Sequence, residues 1–303
     1  MIYQDDLTER HVPMLRQALE RDGELDPGTG IGAFWLGVLE RPYATACDII
    51  LRHDGDDLLG VGMVFRRIHG RREGRHTMVW VPAALRRKGH GTALVQAVKD
   101  RVAAAGLGHA YACLYFPTEA AEGLLAATGF TLISDDHIVG WNGEPYSYQP
   151  VDGVRLELYR GGDPAMNAKI ADLQNRVFVR ELMVPTLTAE RIEAILTEEG
   201  SWMLIATEEA SGLLVGVCEG TDGPVIPSIA VAHSHWGTGL GQWMCGEAID
   251  RNRAAGNERP WTLVRRKNRA SLKLLERLNC VPVGECRFYI VPVRPGAAEM
   301  VNP

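Results

Sequence analysis

Apolar residues recur along this chain with two periods, and the order in which those periods alternate occurs twice. Within 6–21, Val12, Leu15 and Leu19 fall at helical spacing. Two runs of strand character follow, 47–52 and 58–68, around the turn His53-Asp54-Gly55-Asp56-Asp57, and a shorter run at 77–81 ends at Pro82. In 89–105 the residues Leu94, Val95, Val98 and Val102 make an apolar stripe that Gly106 terminates. A strand at 110–116, a short helix at 119–127 and a strand at 130–133 complete this half. The second half predicts a strand at 154–159, a helix at 166–178 and a hairpin at 202–207 and 213–219. A strand at 229–231, a helix at 239–255, a strand at 261–264 and a helix at 271–278 follow. The alternation predicts an α+β fold in which each half is a mixed, mostly antiparallel sheet flanked by helices, not a doubly wound parallel sheet.

The two halves are in register. Val81 and Val231, Gly89 and Gly239, Gly91 and Gly241, and Ala104-Ala105-Gly106 and Ala254-Ala255-Gly256 are each 150 residues apart. An ungapped match with superposed apolar positions indicates duplication of a whole domain. The segment 141–150 (Trp141-Asn142-Gly143-Glu144-Pro145-Tyr146-Ser147-Tyr148-Gln149-Pro150) is rich in turn formers and lacks periodicity. It places the expected domains at 1–148 and 149–303, with 294–303 as a loose tail.

Bulk composition narrows the class. The 303 residues suit two domains of ordinary size, and 46% hydrophobic with 23% charged residues describes a globular protein. No run approaches the roughly 18–20 apolar residues of a membrane span, and the first ten residues resemble neither a secretory signal nor a transit peptide. The expectation is a cytoplasmic protein without a membrane partner. Six cysteines form no Cys-x-x-Cys pair and show no zinc spacing, so no metal is expected. Arg outnumbers Lys, 27 to 5, a bias of high-GC bacterial genomes and compatible with a biosynthetic or resistance enzyme. The net charge is −6, yet 66–88 carries Arg66, Arg67, Arg71, Arg72, Arg75, Arg86, Arg87 and Lys88 against Glu73 alone. An anion is expected to dock there.

The candidate chemistry lies where a strand enters a helix through Arg86-Arg87-Lys88-Gly89-His90-Gly91. Gly89 and Gly91 lack Cβ atoms and let a phosphate approach the backbone. The helix dipole and the three cations add attraction. A pyrophosphate is the natural ligand of such a turn.

Strand, turn, amphipathic helix, strand and short helix together resemble the GNAT superfamily of acyl-CoA-dependent N-acyltransferases. That family carries V-x-x-x-x-[RQ]-x-x-G-x-[GA], matched here by Val81, Arg86, Gly89 and Gly91. Over both repeats the likeness covers nearly the whole chain, similar to tandem enzymes of the mycothiol synthase type. The resemblance implies that residues 87–92 (Arg87, Lys88, Gly89, His90, Gly91, Thr92) bind the pyrophosphate of acetyl-CoA or another acyl-CoA through backbone amides. It implies that the strand at Trp80-Val81 pairs with the pantetheine arm and splays from 110–116. The acceptor, a primary amine of a small molecule, would enter from the other side. The second repeat offers a possible second donor site at Val231, Gly237, Thr238, Gly239, Leu240, Gly241 and Asn268.

Departures from the family pattern are specific. The downstream motif N-x-x-[AS]-x-x-L-Y-x-x-x-G-F has Thr118 for its Asn and Leu125 for its Tyr in the first repeat. In the second, Asn268 and Ser271 match, Leu275 replaces the Tyr, and Trp236 stands where the pyrophosphate Arg belongs. No standard acid is present. Glu219, with Asp222, His233 and His235, are the candidate bases, and Tyr115 or Tyr111 on the splayed strand could supply a proton.

Counted from Gly62 to Val81 and from Gly216 to Val231, the Arg-rich hairpin is four residues longer than its counterpart. With Arg265, Arg266, Lys267 and Arg269 it could instead serve a tRNA through salt-sensitive phosphate contacts. That would make the donor an aminoacyl-tRNA. A third expectation, carried by the two missing tyrosines, is a non-catalytic module that senses acyl-CoA.

Overall fold

The computed structural model describes residues 3–26, 30–40, 47–69, 74–179 and 186–294. By contact the chain forms two compact units, 1–134 with 287–303, and 135–286. The expected boundary at 148/149 lies within the second of these.

The first unit begins with β1 (Tyr3–Asp6), a 3-10 turn at Glu9–His11, and α1 (Val12–Arg21), which buries Leu15, Ala18 and Leu19. Next come α2 (Gly30–Glu40), β2 (Cys47–Asp54), β3 (Asp57–His69) and β4 (Gly74–Trp80). They are followed by α3 (His90–Ala104), β5 (His109–Tyr115) and α4 (Glu119–Ala127). The sheet order is β1-β2-β3-β4-β5, followed by the 287–292 portion of a last strand, β12 (Cys280–Pro292). Pairs β1/β2, β2/β3 and β3/β4 are antiparallel, and β4/β5 is parallel. Strand alternation puts two cores on opposite faces. Leu15, Leu19, Trp35, Leu51, Val61 and Met63 pack under α1 and α2. Val64, Val95, Val98, Ala110, Leu125 and Phe130 pack under α3 and α4.

The second unit follows the same plan. After β6 (Thr131–Trp141), which spans the division between the units, come β7 (Val154–Tyr159), α5 (Pro164–Val177) and α6 (Ala189–Thr197). Then β8 (Ser201–Glu208), β9 (Leu214–Thr221), β10 (Ile229–Val231), α7 (Leu240–Ala254), β11 (Trp261–Arg265) and α8 (Arg269–Arg277) complete it. An antiparallel sheet runs β10-β9-β8-β7, and β11 pairs antiparallel with β6. Among the described residues no helix is long and apolar enough to cross a membrane.

Several elements differ from expectation. Helices α2 and α6 were not anticipated, and α6 carries a legible start, since the Thr188 hydroxyl accepts from Arg191 N at 3.2 Å. The strand expected at 130–133 continues to Trp141. The segment after it has no regular structure but is strapped to α7: Gln242 Nε2 donates to Ser147 O, and both Tyr146 and Tyr148 donate to Asp250. Of the expected tail, 295–303 lies outside the described residues.

The Arg-rich hairpin is longer than the count made from Gly62. Val61 faces Trp80 as Val217 faces Ala230, so the counterpart of Gly216 is Gly60. A Cβ on either glycine would meet the helix behind it, Leu94 on α3 or Met244 on α7. The stretch from Gly60 to Val81 spans 21 positions against 15 from Gly216 to Val231.

Candidate active site

The turn after β4 is built to leave amides exposed. Val81 and Pro82 lead into one 3-10 turn at Ala83–Leu85, whose N-terminal amide, Ala83 N, donates to Asp22 Oδ2 at 2.7 Å. Arg86 folds back, its Nε donating to Val81 O at 3.1 Å. Arg87 then adopts φ 65° and Gly89 φ 85°, two left-handed residues that turn the chain into α3. Ala93 N is the first amide to bond back into the helix, to Gly89 O at 3.2 Å. Among the described residues nothing accepts from the amides of Arg87, Lys88, Gly89, His90, Gly91 or Thr92. Six consecutive amides without an acceptor at a helix N-terminus are donors of the kind an anion can satisfy. A Cβ on Gly89 would meet nothing within 4 Å, so the space above the turn is open. One on Gly91 would press on Leu124 of α4 at 3.2 Å, so this glycine also lets two helices approach.

The His90 side chain points away from the cradle. It is buried, and Arg52 Nε donates to its Nδ1 at 3.2 Å. Burial first, then the charges of Arg52 and Lys88, lower its pKa below the ordinary histidine value. The imidazole is therefore neutral at pH 7 and takes no part as a cation.

Beside the turn the sheet parts. Pairing of β4 with β5 runs from Gly74–His109 to Thr77–Ala112 and stops. The last residues of β4, Met78 to Trp80, and of β5, Cys113 to Tyr115, have left each other, as the family resemblance implies. Trp80 is fixed from the α1 side. Its Nε1 donates to Glu24 Oε1 at 3.2 Å, and its ring meets Trp35 edge-on at 6.2 Å. Tyr115 ends β5 at 49% exposure, while Tyr111 is buried in the strand and Leu125 in the core. Sequence reading missed Asp22, Glu24 and Arg52, the three side chains that hold the turn and its strand. They lie 29 to 59 positions before Val81, where the motif begins, and no local pattern marks them.

The second turn keeps the backbone and loses the charge. Gly237 (φ 80°) and Gly239 (φ 97°) repeat the left-handed pair. Trp236 takes over the fold-back, its Nε1 donating to Val231 O at 2.9 Å, and its ring lies against His233. Thr238 closes part of the cradle, donating to His235 O at 2.9 Å and accepting from Leu240 N at 3.4 Å. Gly241 approaches Leu274 as Gly91 approaches Leu124. Asn268 is occupied as the N-cap of α8, accepting from Ser271 N at 3.1 Å. Glu219 sits half-buried on β9 opposite Met203, at the position of Met63 in the first unit. His235 pairs with Glu208 at 3.4 Å.

Three cations of the basic clusters are paired within their own units. Arg66 and Arg75 lie 3.0 and 3.9 Å from Asp48, and Arg266 lies 3.0 and 2.6 Å from Asp135 and Glu285. Lys267 and Arg269 are exposed, and Arg265 is half-buried. Arg71, Arg72 and the side chain of Arg67 lie outside the described residues.

By sequence, residues 15–130 and 168–279 each match the acetyltransferase (GNAT) family. The chain belongs to that family. As a member it is an acyltransferase in tandem arrangement, and the family generally uses acetyl-CoA as donor. Solved structures agree on the fold. A GCN5-related N-acetyltransferase from Sphaerobacter thermophilus superposes with TM-score 0.72 at 17% identity, over 97% of this chain and 96% of its own. A tandem GNAT protein from the clavulanic acid biosynthesis pathway superposes with TM-score 0.65 at 16% identity, over 98% and 100%. No curated protein matches the chain by sequence.

Proposed function

We propose that this acyltransferase moves an acetyl group from acetyl-CoA to the primary amine of a small molecule, with the first unit as its donor site. The observation that carries the proposal is the row of six unsatisfied amides at 87–92, flanked by Arg86, Arg87 and Lys88 and set beside the parted strands. A diphosphate supplies acceptors to such a row. The edge of β4 beyond Thr77, left without a partner, offers backbone groups to an extended amide-bearing arm. The donor thioester would then lie between β4 and β5, where an amine entering from the α1 and α2 side reaches its carbonyl carbon. The nitrogen attacks, the C–S bond breaks and the amide forms; the thiolate takes a proton from a hydroxyl, and the proton that leaves the nitrogen restores that hydroxyl. Tyr115 is the hydroxyl assigned to that proton. Glu219 remains a candidate base for the second unit alone.

The second turn supports a donor less well. Its three cations are replaced by Trp236, Gly237 and Thr238, and Thr238 answers part of the cradle from within. Arg66, Arg75 and Arg266 are paired with carboxylates, which weighs against the tRNA reading for these three cations.

Calorimetry with acetyl-CoA, followed by thiol release in the presence of a panel of small amines, tests the proposal. Binding lost in Arg86→Ala and thiol release dependent on one class of amine are expected. Wild-type protein that fails to bind acetyl-CoA would sink it.

A further inference from the structure

Away from the donor turn, three side chains converge at the β1–β2 edge of the first unit. Asp5 comes from β1, His11 ends the 3-10 turn, and His53 comes from β2; their ligand atoms lie within 4.8 Å of one another. Both imidazoles are buried.

The two rings have opposite surroundings, with acceptors beside both nitrogens of His53 and donors beside both nitrogens of His11. His53 Nδ1 lies 3.0 Å from Gly55 O, which only accepts, so this nitrogen carries hydrogen and Nε2 is the one that can bind a metal ion. That Nε2 faces another acceptor, Asp5 Oδ2, at 3.2 Å. His11 has the reverse surroundings. Thr8 N–H stands 3.2 Å from Nδ1 and Arg10 Nε–H 3.1 Å from Nε2, two permanent donors for a ring with one lone pair. Thr8 Oγ1, at 3.0 Å from the same Nδ1, can accept from it instead. Arg10 is the cation of the cluster, with Nη2 3.2 Å from Asp5, yet its side chain is 72% exposed. An ion pair so exposed holds weakly.

We propose that Asp5, His11 and His53 form a site for a borderline divalent metal ion, zinc the natural candidate, which takes the place of the Arg10 guanidinium. A cation at that point receives the Nε2 lone pairs of both rings and one carboxylate oxygen. The outer nitrogens then donate to Gly55 O and Thr8 Oγ1, the support that metal-bound histidines usually have. Two imidazoles and one carboxylate suit zinc rather than magnesium or calcium. Three protein ligands leave a fourth position for water. Closing to bonds of about 2.0–2.2 Å requires the half-buried Asp5 and its neighbours to draw together. The ion would tie β1, four residues long, to the sheet.

The test is calorimetric titration of the untagged full chain with zinc chloride, alongside magnesium chloride, for wild type, His53→Gln and Arg10→Ala. One equivalent of zinc is expected, about tenfold weaker or more in His53→Gln and tighter in Arg10→Ala, with magnesium silent. Cobalt(II) should show a visible tetrahedral spectrum that His53→Gln removes. His53→Gln could lose its fold, so Arg10→Ala, on an exposed side chain, keeps the test decisive. Zinc binding unchanged in a folded His53→Gln, or no one-equivalent binding in Arg10→Ala, would overturn the assignment.

Discussion

Arg87 is the residue at which the stability of the first glycine turn and its proposed function pull apart. It holds φ 65°, and its counterpart in the second unit is Gly237 at φ 80°. The turn geometry therefore demands a left-handed residue, and the first unit meets the demand with a side chain that has a Cβ. For an L-residue that conformation costs about 1–2 kcal/mol. Arg87→Gly removes this strain but adds about 0.5–1 kcal/mol of unfolded-chain entropy. The net gain should be about 0.5–1 kcal/mol, or roughly 2–4 °C in the melting temperature of a unit this size. The same change deletes a charge at the mouth of the cradle. A charge-assisted hydrogen bond is worth about 1.5–3 kcal/mol, reduced here by exposure, so acetyl-CoA affinity should fall about five- to tenfold. Arg87→Ala keeps the Cβ, and with it the strain, while losing the charge. It should bind as poorly as Arg87→Gly without the gain in stability. Thermal melts and calorimetry at two salt concentrations measure both quantities, and the affinity difference should shrink at high salt. If Arg87→Gly lowers stability while acetyl-CoA affinity stays at the wild-type value, the turn is neither strained nor a donor site.

Three further outcomes follow from particular contacts. A Cβ on Gly246 would stand 2.1 Å from Tyr148 Cδ1, so Gly246→Ala should displace the strap from α7 at a cost of about 1–3 kcal/mol. Adding Tyr148→Ala should recover part of it, and additive losses in denaturant melts would refute the clash. Trp236→Arg returns a cation to the second turn and should add a second, weaker acetyl-CoA equivalent in calorimetry; an unchanged stoichiometry means that Thr238 keeps this cradle closed. Burial first, then the bond to Glu122, pushes the Tyr289 hydroxyl from 10.0 up to about 12. Because the folded state favours the protonated phenol, its contribution is complete below pH 10 and fades as the pH rises towards 12. Melting temperatures between pH 9.5 and 11.5 should fall less steeply in Tyr289→Phe than in wild type.

What the sequence revealed and what it concealed divide along a physical line. The strand–turn–helix at 77–105 was legible because its signals are local: a 3.6-residue stripe ending in Gly106, and glycines at the left-handed and close-approach positions. Helix α2 was hidden because Gly30–Glu40 is apolar nearly all round and shows no period, though Trp35, Val38 and Leu39 bury one face. The strap 142–150 reads as a linker because turn formers dominate it. Its anchors, Gln242, Gly246 and Asp250, belong to another helix at spacings of four, and only the fold brings them together. The same holds for Asp22, Glu24 and Arg52 behind the first glycine turn. Register also lay beyond the sequence, since glycine matching alone pairs Gly62 with Gly216, whereas the strand ladders pair Gly60 with it.

The repeats show which part of the motif is backbone and which is chemistry. Both turns keep the left-handed pair, the glycine under the neighbouring helix, and a side chain that folds back to the strand carbonyl, Arg86 in one and Trp236 in the other. That fold-back needs only an N–H donor, so a tryptophan satisfies it. The charge at Arg86, Arg87 and Lys88 has no part in holding the turn, because the second turn forms without it. Arg86, Arg87 and Lys88 are therefore free to serve the anion proposed for the six amides beside them, and neutralising Arg87 and Lys88 together should weaken acetyl-CoA binding in calorimetry while leaving the melting temperature near that of the wild type.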